Sequence, residues 1–121
     1  MAATSKHLSV KRVYEEPAPE DGERVLIDRL WPRGLSKEKA HIDLWLKDVA
    51  PSRELRTWFG HDPAKYDEFR RRYEAELAEE PARSALATLR EHIKRGPVTV
   101  VYGARDSDHS NAAVLRELLG G

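Results

Sequence analysis

Apolar and polar positions alternate with a period of two near the start of this chain and settle into a helical period through its middle. Leu8, Val10, Arg12 and Tyr14 alternate with Ser9, Lys11 and Val13, which predicts a first strand at a sheet edge, with one face more apolar than the other. The acidic, proline-bearing run Glu15-Glu16-Pro17-Ala18-Pro19-Glu20-Asp21-Gly22 predicts an exposed loop. A second strand follows over Arg24 to Asp28, where the unbroken apolar run Val25-Leu26-Ile27 is of the kind that is buried on both faces.

From Leu35 to Lys94 the period is helical. Ser36 stands as the cap of a first helix, with Leu35 stapled against Ala40 and with Ile42, Leu46 and Val49 continuing the same face; Trp45 falls inside this amphipathic segment. Pro51-Ser52 restarts a short helix carrying Leu55, Trp58 and Phe59, punctuated by Gly60-His61-Asp62-Pro63. Tyr66, Phe69, Tyr73 and Leu77 form the next stripe. Ala82, Leu86, Leu89 and Ile93 form another, which Gly96-Pro97 stops. Val98-Thr99-Val100-Val101-Tyr102 has the β-branched and aromatic enrichment of a strand. Val114, Leu115, Leu118 and Leu119 then give a last helix its buried side, with Ser107 and Asp108 as cap-type residues before it.

Strands near the two ends of the chain, joined through a long helical connection, pair in parallel within one sheet. The predicted fold class is α/β, a small, mainly parallel sheet of about three to four strands with a helix-rich crossover. A chain of 121 residues suffices for one modest core and not for two, so residues 8–121 are expected to form a single domain after a disordered 1–7 segment.

Composition narrows the function. Charged residues are 35% of the chain and cancel to a formal net charge of zero, so any electrostatic recognition is local. Cysteine is absent, which removes disulfides, thiolate metal ligands and cysteine nucleophiles. Met1 to His7 lack a signal-peptide core, and no segment approaches the roughly 20 apolar residues of a membrane span, so a cytoplasmic protein with no membrane partner is expected.

The second strand breaks directly into Asp28-Arg29-Leu30-Trp31-Pro32-Arg33-Gly34, and the last strand is followed by Arg105-Asp106-Ser107-Asp108-His109. In a parallel sheet both clusters lie at one edge, where open α/β sheets bind their ligands. Arg29, Arg33 and Arg105 offer planar forks suited to phosphate or carboxylate, Trp31 a pocket wall, and Asp106 a further ligand-binding group. Asp28, His61 and His109 are the acid/base candidates. The alternative for the arginines is structural pairing with Asp28, Asp106 or the acids of the 15–23 loop; for His61 it is bonding within its own turn, and for His109 a partly exposed place in a first helical turn.

Asp106-Ser107-Asp108-His109 matches no established metal-ligand spacing, and neither a phosphate-binding GxxxxGK[ST] loop nor a GxSxG elbow is present. The sequence assigns no metal, cofactor or oligomeric state. Three functions follow: an anion-binding domain or small enzyme, a nucleic-acid-binding regulator acting through Arg70-Arg71-Arg72, and a structural or adaptor protein. Zero net charge and the acidic residues around the arginine run count against the second.

Arg12-Val13-Tyr14, Asp21-Gly22, the Asp28-Arg29-Leu30-Trp31-Pro32-Arg33-Gly34 signature, Ala50-Pro51-Ser52 and Leu55-Arg56-Thr57-Trp58-Phe59 resemble the YeaO-like branch of the domain-of-unknown-function 488 family. The resemblance runs from Leu8 to Leu119. It implies a sheet domain in which one strand ends in Val-Asp-x-Arg, an element that Asp28 and Arg29 fit apart from a spacing difference around the arginine, but it carries no settled activity. The family's final strand ends near Cys-His-Arg or Asn-His. This chain keeps Arg105, Asp106 and His109 there but has Ser110-Asn111-Ala112 where a cysteine or second histidine would stand. Some members of the branch are labelled transcriptional regulators of the MarR type; this sequence has no basic recognition helix after a short turn.

Overall fold

The computed structural model describes residues 8–120; the expectation of a disordered segment over 1–7 lies outside the described residues. Four parallel strands form one sheet in the order β1-β4-β2-β3, comprising β1 (Leu8–Arg12), β2 (Glu23–Leu26), β3 (Leu44–Trp45) and β4 (Val98–Tyr102). The helices are α1 (Lys37–Ala40), α2 (Arg53–Phe59), α3 (Tyr66–Leu77), α4 (Ala82–Arg95) and α5 (Asn111–Gly120). The α/β class, the parallel sheet and the edge position of β1 agree with the expectation.

All five residues of β4 are buried, as a central strand covered on both faces requires. Val98, Val100 and Tyr102 join Val25 and Ile27 in the larger core, under α2 to α5; Val101 and Leu26 face the opposite way into a smaller core with Val13 and Ala40. The helical stripes behave as their period demands: Tyr66, Phe69, Tyr73 and Leu77 of α3 and Ala82, Leu89 and Ile93 of α4 are buried. Tyr73 is buried completely and donates its hydroxyl to the Val49 carbonyl.

Several expectations are corrected. The helix that begins at Ser36 lasts one turn: Ser36 Oγ accepts the Lys39 N–H at 3.2 Å, but His41 enters the left-handed region at φ 52° and ends it. The chain then runs into β3, so Trp45 lies on a strand and not in a helix. Ile42 and Trp45 pack in the smaller core while Leu46 and Val49 pack in the larger, so no shared helical face exists. β2 ends at Leu26, short of Asp28, although the Ile27 N–H still bonds the Val101 carbonyl at 3.2 Å. In the last helix, α5 starts at Asn111, past the expected Ser107 and Asp108 caps, and Ser110 Oγ takes the Ala113 N–H. Leu118, expected on the buried side of this helix, is exposed.

Beneath the loop that precedes β2, Asp21 accepts from Lys11 Nζ at 3.0 Å and Arg24 Nη1 at 2.7 Å. Arg24 is buried and also donates to the Ala40 and His41 carbonyls, so its charge and its donors are matched. This network explains why a loop of such polarity closes against the sheet.

The connections decide where a cleft opens. After β2 the chain crosses the face of the smaller core, through Trp31, Leu35 and α1; after β4 it turns to the other face, through α5. Neighbouring strands whose connections leave to opposite faces part at their C-terminal ends, which makes the β2/β4 boundary the topological switch point of this sheet.

Candidate functional site

Asp28 stands at that boundary, just past the buried run of β2. Its Oδ2 accepts the Gly103 N–H at 2.8 Å and its Oδ1 accepts Asn111 Nδ2 at 3.1 Å, so one carboxylate ties the end of β2 to the end of β4 and the start of α5. The Asp28 carbonyl takes the Trp45 indole N–H at 2.7 Å. Glycine at 103 permits the approach, because a Cβ there would stand 3.3 Å from Asp28 Oδ2. Burial pushes the Asp28 carboxyl above its ordinary value of 3.8, outweighing the opposite pull of its two hydrogen bonds and of Arg56 and His61.

Above Asp28 lies a cavity of about 270 Å³, close to the lower end of the range of about 300–1,000 Å³ usual for small-molecule sites. Asp28, Gly103, Ser110 and Asn111 form its floor, beside the stacked rings of Phe59 and Phe69, whose centroids are 4.2 Å apart. The exposed residues Tyr14, Leu30, Arg33 and His61 form its mouth.

The cationic lining comes from three places. Arg29 leaves β2 with Asp28; its Nη2 donates to the Ala50 carbonyl at 3.2 Å, and its Nε is buried without a partner. Arg33 follows in the same loop, which is pinned by a Tyr14 hydroxyl bond to the Arg33 carbonyl. Arg56 is brought over the cavity by α2, whose start is fixed by Ser52 Oγ accepting the Leu55 N–H. Among the described residues none of these three guanidinium groups is in an ion pair, so the structural pairing that was the alternative for Arg29 and Arg33 is not formed there.

Trp31 is held in the wall by its indole N–H on the Leu35 carbonyl at 2.6 Å and by an edge contact with Trp45. His61 sits at the mouth with φ 58°, a left-handed conformation rarely taken by residues other than glycine. The structure therefore brings Asp28, Arg29, Trp31, Arg33 and His61 to one cavity.

Arg105, Asp106 and His109 lie outside its lining. Asp106 closes its own turn, accepting from the Asp108 and His109 N–H groups and from His109 Nδ1 at 2.8 Å, and the His109 bond holds its carboxyl below the usual value. His109 then presents its ring to Tyr66 at 5.2 Å. Sequence reasoning missed Arg56 and Asn111. Arg56 had a signal in the Leu55-Arg56-Thr57-Trp58-Phe59 motif, and Asn111 had one in its place beside Ser110 where the family pattern changes. Arg70, Arg71 and Arg72 are spent on Glu117 and Glu68. Among the described residues no group of three or more metal-ligating side chains is assembled, and no helix is long and apolar enough to cross a membrane.

The chain is similar to several bacterial proteins over nearly its whole length. It is 49% identical over 112 residues to the uncharacterized protein Rv3073c of Mycobacterium tuberculosis, covering 93% of this chain and 92% of that protein. It is 40% identical over 114 residues to the uncharacterized protein YeaO of Escherichia coli, covering 93% and 96%. No solved structure matches it. The family model described as the inactive DUF488-N3 subclade matches residues 7–121, and with relatives of this identity and coverage the chain belongs to the DUF488 family, among its YeaO-like members.

Proposed function

We propose that this chain binds a small anionic ligand in the cytoplasm and leaves it chemically unchanged, holding it with Arg29, Arg33 and Arg56 over the ends of β2 and β4. The observation that carries this reading is the meeting of three guanidinium groups at one cavity, none of them neutralised by an ion pair among the described residues. A concave site with an excess of planar cationic forks favours phosphate or carboxylate. The switch-point position agrees with it.

Two observations favour binding over catalysis. Each Asp28 oxygen already holds a protein donor, so the carboxylate serves as a tie before it serves as a base. The family model that matches is described as inactive. The nucleic-acid reading loses its main support, since the arginine run is paired with Glu68 and Glu117.

Calorimetric titration of the wild-type protein and of Arg56→Ala with inorganic phosphate and with phenylpropanoate tests the proposal. At least one anion should bind, and Arg56→Ala should weaken it about tenfold or more, the effect of losing one charge-assisted hydrogen bond. No binding of any anion, or an affinity indifferent to Arg56→Ala, overturns it.

A further inference from the structure

The floor and the mouth of the cavity differ in chemistry. Arg33 at the mouth and Arg56 above the floor supply donors and positive charge. At the floor the Gly103 N–H points to Asp28 and Asn111 Nδ2 to Asp28 and the Ile27 carbonyl, while Ser110 Oγ accepts the Ala113 N–H and keeps its own O–H. What Asp28 still offers is acceptor capacity. A carboxylate has about four lone-pair positions, and protein donors fill one on each oxygen of Asp28. An anionic group placed at the floor would meet a like charge, so it belongs at the mouth. Asp28 is half-buried and faces the cavity, so those unfilled positions are open to a donor that enters it. Beside Arg29, the inner wall has an apolar part made by Phe59, Phe69, Ala50 and Ala104.

We infer that the ligand carries, beside its anionic group, a hydroxyl or amino donor that bonds to Asp28 and a compact apolar body that lies against Phe59. It is a hydroxy- or amino-substituted carboxylate or phosphate ester, not a bare anion. The cavity volume of about 270 Å³ limits it to one ring or a short chain. This inference rests on the anion-binding reading and adds the second recognition point. The two points have opposite polarity, which fixes the direction in which the ligand enters: donor inward, anion outward.

Matched probes separate the two claims. Phenylpropanoate, phenyllactate and phenylalanine share a carboxylate and a ring and differ in carrying no donor, a hydroxyl or an ammonium group; ethyl phosphate and phosphoethanolamine make a second pair. Calorimetry on the wild-type protein should show the donor-bearing member of a pair binding about tenfold more tightly, the discrimination given by one charge-assisted hydrogen bond. In Asp28→Asn that preference should shrink to about threefold or less, since the charge on the acceptor is gone. Equal affinities within each pair, or a preference unaltered by Asp28→Asn, overturn the inference and leave anion binding standing. If none of these probes nor inorganic phosphate binds, anion binding falls and the inference falls with it. The wild-type comparison decides the matter even where Asp28→Asn does not fold.

Discussion

Asp28 and Gly103, 75 positions apart in the chain, are joined by a 2.8 Å hydrogen bond that holds the C-terminal ends of β2 and β4 at a fixed separation. The same carboxylate holds Asn111 at the start of α5. Asp28→Ala removes the acceptor from both donors at once. It should lower the free energy of unfolding by about 1–3 kcal/mol, the cost of leaving a partly buried donor unmatched, as read by urea denaturation. A variant as stable as the wild type would show that water replaces the carboxylate without loss.

The same group gives stability a pH dependence of unusual sign for an aspartate. Burial raises its folded value above 3.8, so the group holds a proton more readily in the folded chain than in the unfolded one. Its contribution is therefore full below the unfolded value and is lost as pH rises through the raised folded value. The difference in unfolding free energy between wild type and Asp28→Asn, measured from neutral pH downwards, should shift in favour of the wild type as the solution is acidified. A difference that stays constant across that window, or moves the other way, contradicts the assignment.

Arg24 is 3% exposed and serves Asp21, Ala40 and His41 together. Arg24→Met keeps an unbranched apolar stem and discards every one of those bonds, leaving a buried Asp21 with Lys11 and the Ala18 N–H. The expected loss is about 1–3 kcal/mol, measured by denaturant unfolding, the cost of taking a charge-assisted donor from a buried carboxylate that keeps its other partners.

Two glycines with positive φ should respond differently to alanine. At Gly22, with φ 65°, a Cβ would collide with the backbone carbonyl of Pro97, which cannot move without displacing the entry to β4. Gly34, with φ 77°, has open space around it. Gly34→Ala should cost about 1–2 kcal/mol from backbone strain alone, whereas Gly22→Ala should lower the melting temperature far more or prevent recovery of folded protein. Equal melting temperatures for the two variants would show that the Gly22 contact yields easily.

How far the sequence is legible depends on how local each cause is. The stripe of α3, the strand β4 and the caps at Ser36 and Ser52 are short-range features, and each is visible as a periodicity or a residue type. β3 is not, because two residues show no period; its existence comes from pairing, with the Asp43 N–H on the Arg24 carbonyl and the Leu46 N–H on the Leu26 carbonyl. At the site, Asp28, Arg29, Trp31 and Arg33 follow one another after a strand and so are found together. Arg56 depends on how α2 settles over that strand's end, and Asn111 on where α5 begins. Arg105, Asp106 and His109 are close to the site in sequence, yet a hydrogen-bonded turn holds them outside the cavity lining.

β4 lies between β1 and β2, and it is the last of the described strands to leave the ribosome. Until residues 98–102 have been made, Leu8 to Arg12 have no neighbour in the sheet, and only the short β2/β3 pairing is available to the growing chain. Folding of this protein is thus governed by a late, long-range closure, which slows it relative to a helical bundle of equal length. The nascent chain carries a Val25-Leu26-Ile27 segment whose β4-facing edge stays open through most of its synthesis, and such an open apolar edge is prone to aggregation during expression.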